Sequence, residues 1–126
     1  QLARLLTLLH DGKLVSAAAS AEMLELLAKA VAVPECFINR ASNLNFNVTH
    51  TKVGLGPLKA ENGGRGVYSE GSILVHSSGR KFVAVWQNLL CGDDYFEPIG
   101  QVVSRTLETY STPVSSGKKP ARTVRW

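Results

Sequence analysis

Residues 67–76 and 81–88 are two runs of alternating, largely apolar residues, separated only by Ser77, Ser78, Gly79 and Arg80. A connection this short, with a glycine available for a positive backbone angle, predicts an antiparallel hairpin. In the second run Phe82, Ala84 and Trp86 point one way and Val83 and Val85 the other. Both faces are therefore apolar, which suits a sheet covered on both sides. The rest of the chain must supply that cover.

Helices can do so. Leu2, Leu5, Leu6 and Leu9 fall at i, i+3, i+4 and i+7, the apolar stripe of a helix that Asp11-Gly12 ends. Ser16 is placed to cap a second helix over residues 17–31, with Leu24, Leu27, Ala28 and Val31 inward and Pro34 as its stop. Asn39, Asn43, Asn45 and Asn47 mark residues 34–47 as a connecting loop. Residues 48–53 alternate as a strand, and 54–66, with five glycines and a proline, read as a loop. After Cys91-Gly92, Asp93 or Asp94 caps a third helix to about Tyr110. Its stripe is Phe96, Ile99, Val103, Leu107 and Tyr110, and Pro98 is tolerable because it lies near the start. The predicted fold class is α+β: an antiparallel β-meander of about three strands with helices packed on it.

At 126 residues the chain has room for one modest core, and 44% apolar with 19% charged residues is ordinary globular composition. The net charge of +4 resides in the tail, where Lys118, Lys119, Arg122 and Arg125 occur with no acid. We therefore read residues 1–110 as one formally neutral domain and 111–126 as a basic, solvated, disordered tail. Four such charges would give only weak, salt-dependent nucleic-acid binding, so no nucleic-acid partner is expected. No apolar run is long enough to span a bilayer, so no membrane span is expected either. No signal-peptide pattern is visible at Gln1. Cys36 and Cys91 are either one bridge or two unrelated thiols; neither has metal-ligand spacing.

The stretch Thr49-His50-Thr51-Lys52-Val53-Gly54-Leu55-Gly56 ends a β-rich run in a lysine followed by alternating glycines. With the leucine-rich segment Leu2-Ala3-Arg4-Leu5-Leu6, then Gly12-Lys13-Leu14-Val15-Ser16, then Ala21-Glu22-Met23-Leu24-Glu25-Leu26-Leu27, the order resembles the C-terminal portion of the class A serine β-lactamases and DD-peptidases. The likeness covers about residues 2–110, and it implies a partial serine β-lactamase-like fold. Carried over by position, Lys52 would be the motif lysine at the mouth of the cleft, and the Leu55 backbone N–H would contribute to the oxyanion hole. Val53 stands where the family has a hydroxyl that binds the substrate carboxylate, and Gly54 continues that substrate-binding wall. Arg65 would be either a second carboxylate anchor or a surface-loop arginine. The ligand implied is a small amide or β-lactam-like molecule; no cofactor or metal is implied. The family is usually periplasmic or extracellular.

The nucleophile of that family is the serine of a Ser-x-x-Lys that opens a buried helix. The string occurs here at Ser78-x-x-Lys81, Ser115-x-x-Lys118 and Ser116-x-x-Lys119, in the predicted hairpin turn and the tail, always after Lys52. These are chance matches, as is Glu35-x-x-x-Asn39, and the family's Ser-x-Asn element is missing. His50, His76 and Glu70 would make a metal site only if the strand register brought them together. The expectation is thus the C-terminal part of a serine β-lactamase-like hydrolase that lacks its nucleophile and is inactive alone. The alternative is a non-catalytic binding or assembly module on the same scaffold. The apolar outer edge of residues 82–88 further predicts a homo-oligomer or a missing N-terminal partner segment.

Overall fold

Three antiparallel strands in the order β1-β2-β3 frame the fold, seen in a computed structural model that describes residues 1–34, 36–39, 41–56, 66–91 and 95–111, apart from the side chains of 39 and 88–91. The strands are β1 (Phe46–Leu55), β2 (Gly66–His76) and β3 (Lys81–Cys91). The hairpin between β2 and β3 closes as expected. Gly79 adopts φ +81°, its N–H donates to the His76 carbonyl at 2.8 Å, and the His76 N–H donates to the Arg80 carbonyl at 2.9 Å. All three strands extend beyond the stretches predicted from sequence. In particular, Gly54 and Leu55 belong to β1 rather than to the loop.

A β-bulge at Thr49 governs how β1 presents its side chains. Val48 pairs with Leu74, but His50 pairs with Ile73, so Thr49 has no partner opposite it. A bulge inserts one residue and reverses the facing of everything beyond it. Before it, Phe46 and Val48 are buried; after it, Thr51 is buried and Val53 is half-buried against the same core. Lys52 and Gly54 consequently take the other face.

The helices cover the two faces. α1 (Leu2–His10) lies over the face that carries Gly71, where an added Cβ would meet Leu6 at 3.0 Å and Leu2 at 3.2 Å. α2 (Ala17–Lys29) begins where Ser16 accepts the Ala19 N–H at 3.1 Å, and continues into a 3-10 turn at Ala30–Ala32. Between α1 and α2, Gly12 and Val15 both take positive φ, +69° and +61°. The segment after Pro34, expected to be loop throughout, contains a second 3-10 turn at Phe37–Asn39. α3 (Phe96–Ser111) closes the opposite face with this segment.

The main core lies on that α3 side. Cys36, Phe37, Phe46, Val48, Tyr68, Leu74, Phe96 and Leu107 form one cluster, with Phe82, Ala84 and Trp86 of β3 packed against it. Phe37 is its hub, stacked parallel to Phe46 and meeting Trp86 edge-on with ring centroids 4.9 Å apart. Glu97 in the first turn of α3 accepts from the N–H and hydroxyl of Ser42, both at 2.9 Å, and so ties the helix start to the preceding segment.

Three expected stripes shift. On α1, Leu6 and Leu9 are buried but Leu2 and Leu5 are partly open. On α2, Leu24, Leu27 and Val31 are half-buried and Ala28 is exposed, because the helix lies at the periphery with only Ser20 fully enclosed. On α3, Tyr110 is exposed and the buried line runs through Phe96, Gly100, Ser104, Leu107 and Ser111. The reason is close approach: a Cβ at Gly100 would meet Leu44, Ala41 and Phe37 at 2.8, 3.0 and 3.2 Å. The proposed Asp93 or Asp94 cap and residues 112–126 of the tail lie outside the described residues. Among the described residues no helix is long and apolar enough to cross a membrane.

Candidate functional site

β1 is an edge strand: β2 pairs with one side, and among the described residues no strand pairs with the other. Which of its backbone groups face outward follows from the register. The Gly56 N–H donates to the Val67 carbonyl at 2.7 Å, and Leu55 stands opposite Tyr68. In an antiparallel ladder alternate residues bond the partner, so the N–H and C=O of Leu55, and of Val53 two residues earlier, turn toward the open edge. Lys52 is exposed, and its ammonium donates to the Val53 carbonyl at that edge. A cation and an outward backbone donor thus share one strand edge.

The side chains divide between the two faces. Lys52 and Gly54 share the α1 face, whereas Val53 and Leu55 belong to the α3 face. Val53 is half-buried against the core, and Leu55 is 60% exposed at the strand end. A Cβ at Gly54 would sit 2.6 Å from Ser69 Oγ, a hydroxyl that would have to turn aside. Arg65 lies outside the described residues, so only four of the five residues singled out from sequence are placed.

Sequence reasoning weighed Glu70 only as a conditional metal ligand and missed the most extensive buried hydrogen-bond cluster among the described residues. Glu70, directly across from Val53, is 1% exposed and collects hydrogen bonds from three parts of the chain. Its Oε1 accepts from Thr51 Oγ1 at 2.7 Å, Ser72 Oγ at 2.6 Å and, more weakly, Cys36 Sγ at 3.8 Å. Its Oε2 accepts from the Phe37 N–H at 3.0 Å and from the Tyr68 hydroxyl. Burial, then the hydrogen bond to Glu70, pushes the Tyr68 phenol far above its ordinary range. Burial first, with the nearby Glu70, pushes the Cys36 thiol up to about 11, so it stays a free, protonated, inert thiol at neutral pH. The signal available in the sequence was the alternation Tyr68-x-Glu70-x-Ser72, three polar groups on one face of a strand.

The histidines do not converge. His50 lies beyond the bulge, opposite Ile73, while His76 pairs with Phe46 on the core face. His76 is buried: Nδ1 accepts the Ser78 N–H at 3.1 Å, which leaves the ring proton on Nε2, directed at Glu108 Oε2 3.0 Å away. Asn45 donates to the same Glu108 oxygen at 3.1 Å, so the pair fastens the hairpin end to α3. Among the described residues no group of three His, Cys, Asp or Glu could hold a metal ion. Ser78, the first Ser-x-x-Lys match, sits in the hairpin turn and opens no helix.

No protein-family model, no curated protein and no solved structure matches this chain.

Proposed function

We propose that the chain is the C-terminal part of a serine β-lactamase-like hydrolase, contributing one wall of an acyl-transfer site whose nucleophile is encoded upstream. The observation that carries this reading is the edge of β1, where the exposed Lys52 ammonium and the outward N–H of Leu55 lie three residues apart on a strand that, among the described residues, pairs with another strand on one side only. Acyl transfer of the kind this resemblance implies uses such a pairing. A cation assists proton movement at the attacking hydroxyl, and a backbone N–H holds the oxyanion of the tetrahedral intermediate. The backbone donor is independent of side-chain identity, so Leu55 serves as well as any other residue there. Glu70 supports the strand from beneath by fixing Thr51, the residue before Lys52.

The test is direct. Sequencing the coding region upstream of Gln1 is expected to reveal an in-frame Ser-x-x-Lys followed by Ser-x-Asn. The complete gene product is then expected to react with a fluorescent fluorophosphonate, while residues 1–126 alone and the Lys52→Met variant of the complete protein are not. A start codon immediately before Gln1, or labelling of the isolated chain, would overturn the reading; the former would leave the binding-module alternative.

A further inference from the structure

We infer that α2 carries a self-association surface, along which two copies of this chain pair antiparallel about a two-fold axis. The surface is separate from the outer edge of β3 that the sequence singled out for association, and it does not depend on the acyl-transfer reading.

Ala19, Met23, Leu26 and Ala30 follow one another at intervals of four, three and four residues. That is the spacing of an apolar seam along which two helices pack. It is not the stripe by which α2 holds its own sheet, which runs through Ser20, Leu24, Leu27 and Val31. The two stripes lie about a quarter-turn apart around the helix. At the centre of the seam Leu26 is 65% and Met23 39% exposed, while Ala19 and Ala30 at its ends are half-buried. Two large apolar side chains one turn apart in water form a patch suited to the core of an interface.

The occupant that fits is a second copy. An antiparallel pair sets Met23 against the partner's Leu26 twice at the centre, and Ala19 against the partner's Ala30 at each end. Large residues then interdigitate in the middle while small ones let the ends approach. The charges match in the same alignment. Glu22 and Lys29 are both exposed and flank the seam on the side away from the sheet. Antiparallel pairing brings Glu22 beside the partner's Lys29, and the two-fold axis repeats that ion pair. A parallel pair would instead set like charges level with one another. The 13 residues of α2 make a small contact. Stable complexes bury roughly 1,200 Å² or more, so the dimer is expected to be weak and concentration-dependent.

Sedimentation velocity of the complete gene product, from micromolar to millimolar concentration, tests the surface. The parent is expected to shift from one copy to two as concentration rises. Leu26→Lys, an exposed position that leaves the core untouched, should stay monomeric throughout. Lys29→Glu should weaken the dimer about tenfold, since both attractive pairs become repulsive. Combining it with Glu22→Lys should restore the parent affinity, because the exchanged charges again face opposite partners. That recovery would not follow from a loss of folding. A parent that is monomeric at every concentration would overturn the inference. So would a dimer indifferent to Leu26→Lys, or a double variant as weak as Lys29→Glu alone.

Discussion

Thr51 donates its hydroxyl to Oε1 of Glu70 at 2.7 Å, while the next residue, Lys52, stands exposed on the opposite face of the same strand. The edge that presents the lysine is therefore anchored from behind by a buried acid. Glu70 also accepts from Phe37, so the same carboxyl fastens the segment after α2 to the sheet.

Glu70→Leu removes the carboxyl acceptor of the Tyr68 hydroxyl and the Phe37 N–H, and leaves Thr51 and Ser72, 2.8 Å apart, with only each other to bond. A loss of roughly 3–5 kcal/mol is expected from urea unfolding, since each orphaned buried group costs about 1–3 kcal/mol. Glu70→Gln should lose only about 1–2 kcal/mol. Its carbonyl oxygen can face the Phe37 N–H, and the hydroxyls of Thr51 and Ser72 can rotate to accept from its amide. Equal losses for the two variants would mean that shape, not hydrogen bonding, holds the site.

Val15 holds φ +61° although it is β-branched and 92% exposed. That conformation crowds Cβ against the following carbonyl at a cost of about 1–2 kcal/mol, and nothing buried compensates for it. Val15→Asn should raise stability by about 1 kcal/mol, read as a higher urea midpoint at an unchanged slope. An unchanged midpoint would show that the turn relaxes around valine.

Gly100 lies where α3 meets Phe37, Ala41 and Leu44. Alanine is the better helix former by about 1 kcal/mol, yet its methyl would press on all three neighbours. Gly100→Ala should destabilise by roughly 1–2 kcal/mol net; a stabilised variant would show that the helix can lift away freely.

His50 has its pKa lowered from the ordinary 6.5 by burial, with the charges of His10 on α1 and Lys81 on β3 adding to it. A histidine depressed in the folded state is protonated first in the unfolded chain. Its contribution is therefore full above pH 6.5, falls with pH below that value, and levels once the folded form also protonates. The difference in urea midpoint between the parent and His50→Gln should follow that course between pH 8 and 5; a flat difference would remove His50 from the pH dependence.

The hairpin and the two-faced pattern of β3 were legible because a short turn and an alternation of apolar residues are local properties. Phe82, Ala84 and Trp86 do face the core, as their spacing predicts. The inward line of α3 was only half legible. Hydrophobic spacing selects Tyr110, whereas the helix packs through Gly100, Ser104 and Ser111, where small size rather than hydrophobicity permits contact. At the candidate site, the strand that carries Lys52 was readable from its alternation, but the buried role of Glu70 was not, because an acid in a strand reads as solvent-facing. Its donors come from Thr51, Tyr68, Ser72 and the Phe37 backbone, and they meet only once the register is set.

The extra residue at Thr49 makes the strand behave like a line of text read two letters at a time. Removing that one residue would leave Val48, His50, Thr51 and Lys52 in plain alternation, with Thr51 still toward the core and Lys52 still outside. Losing a second residue there would reverse the phase, sending Lys52 toward the aromatic core and Thr51 outside. The strand accordingly tolerates the loss of its one unpaired residue but not of a paired neighbour as well, a constraint imposed by parity and indifferent to which amino acids are involved.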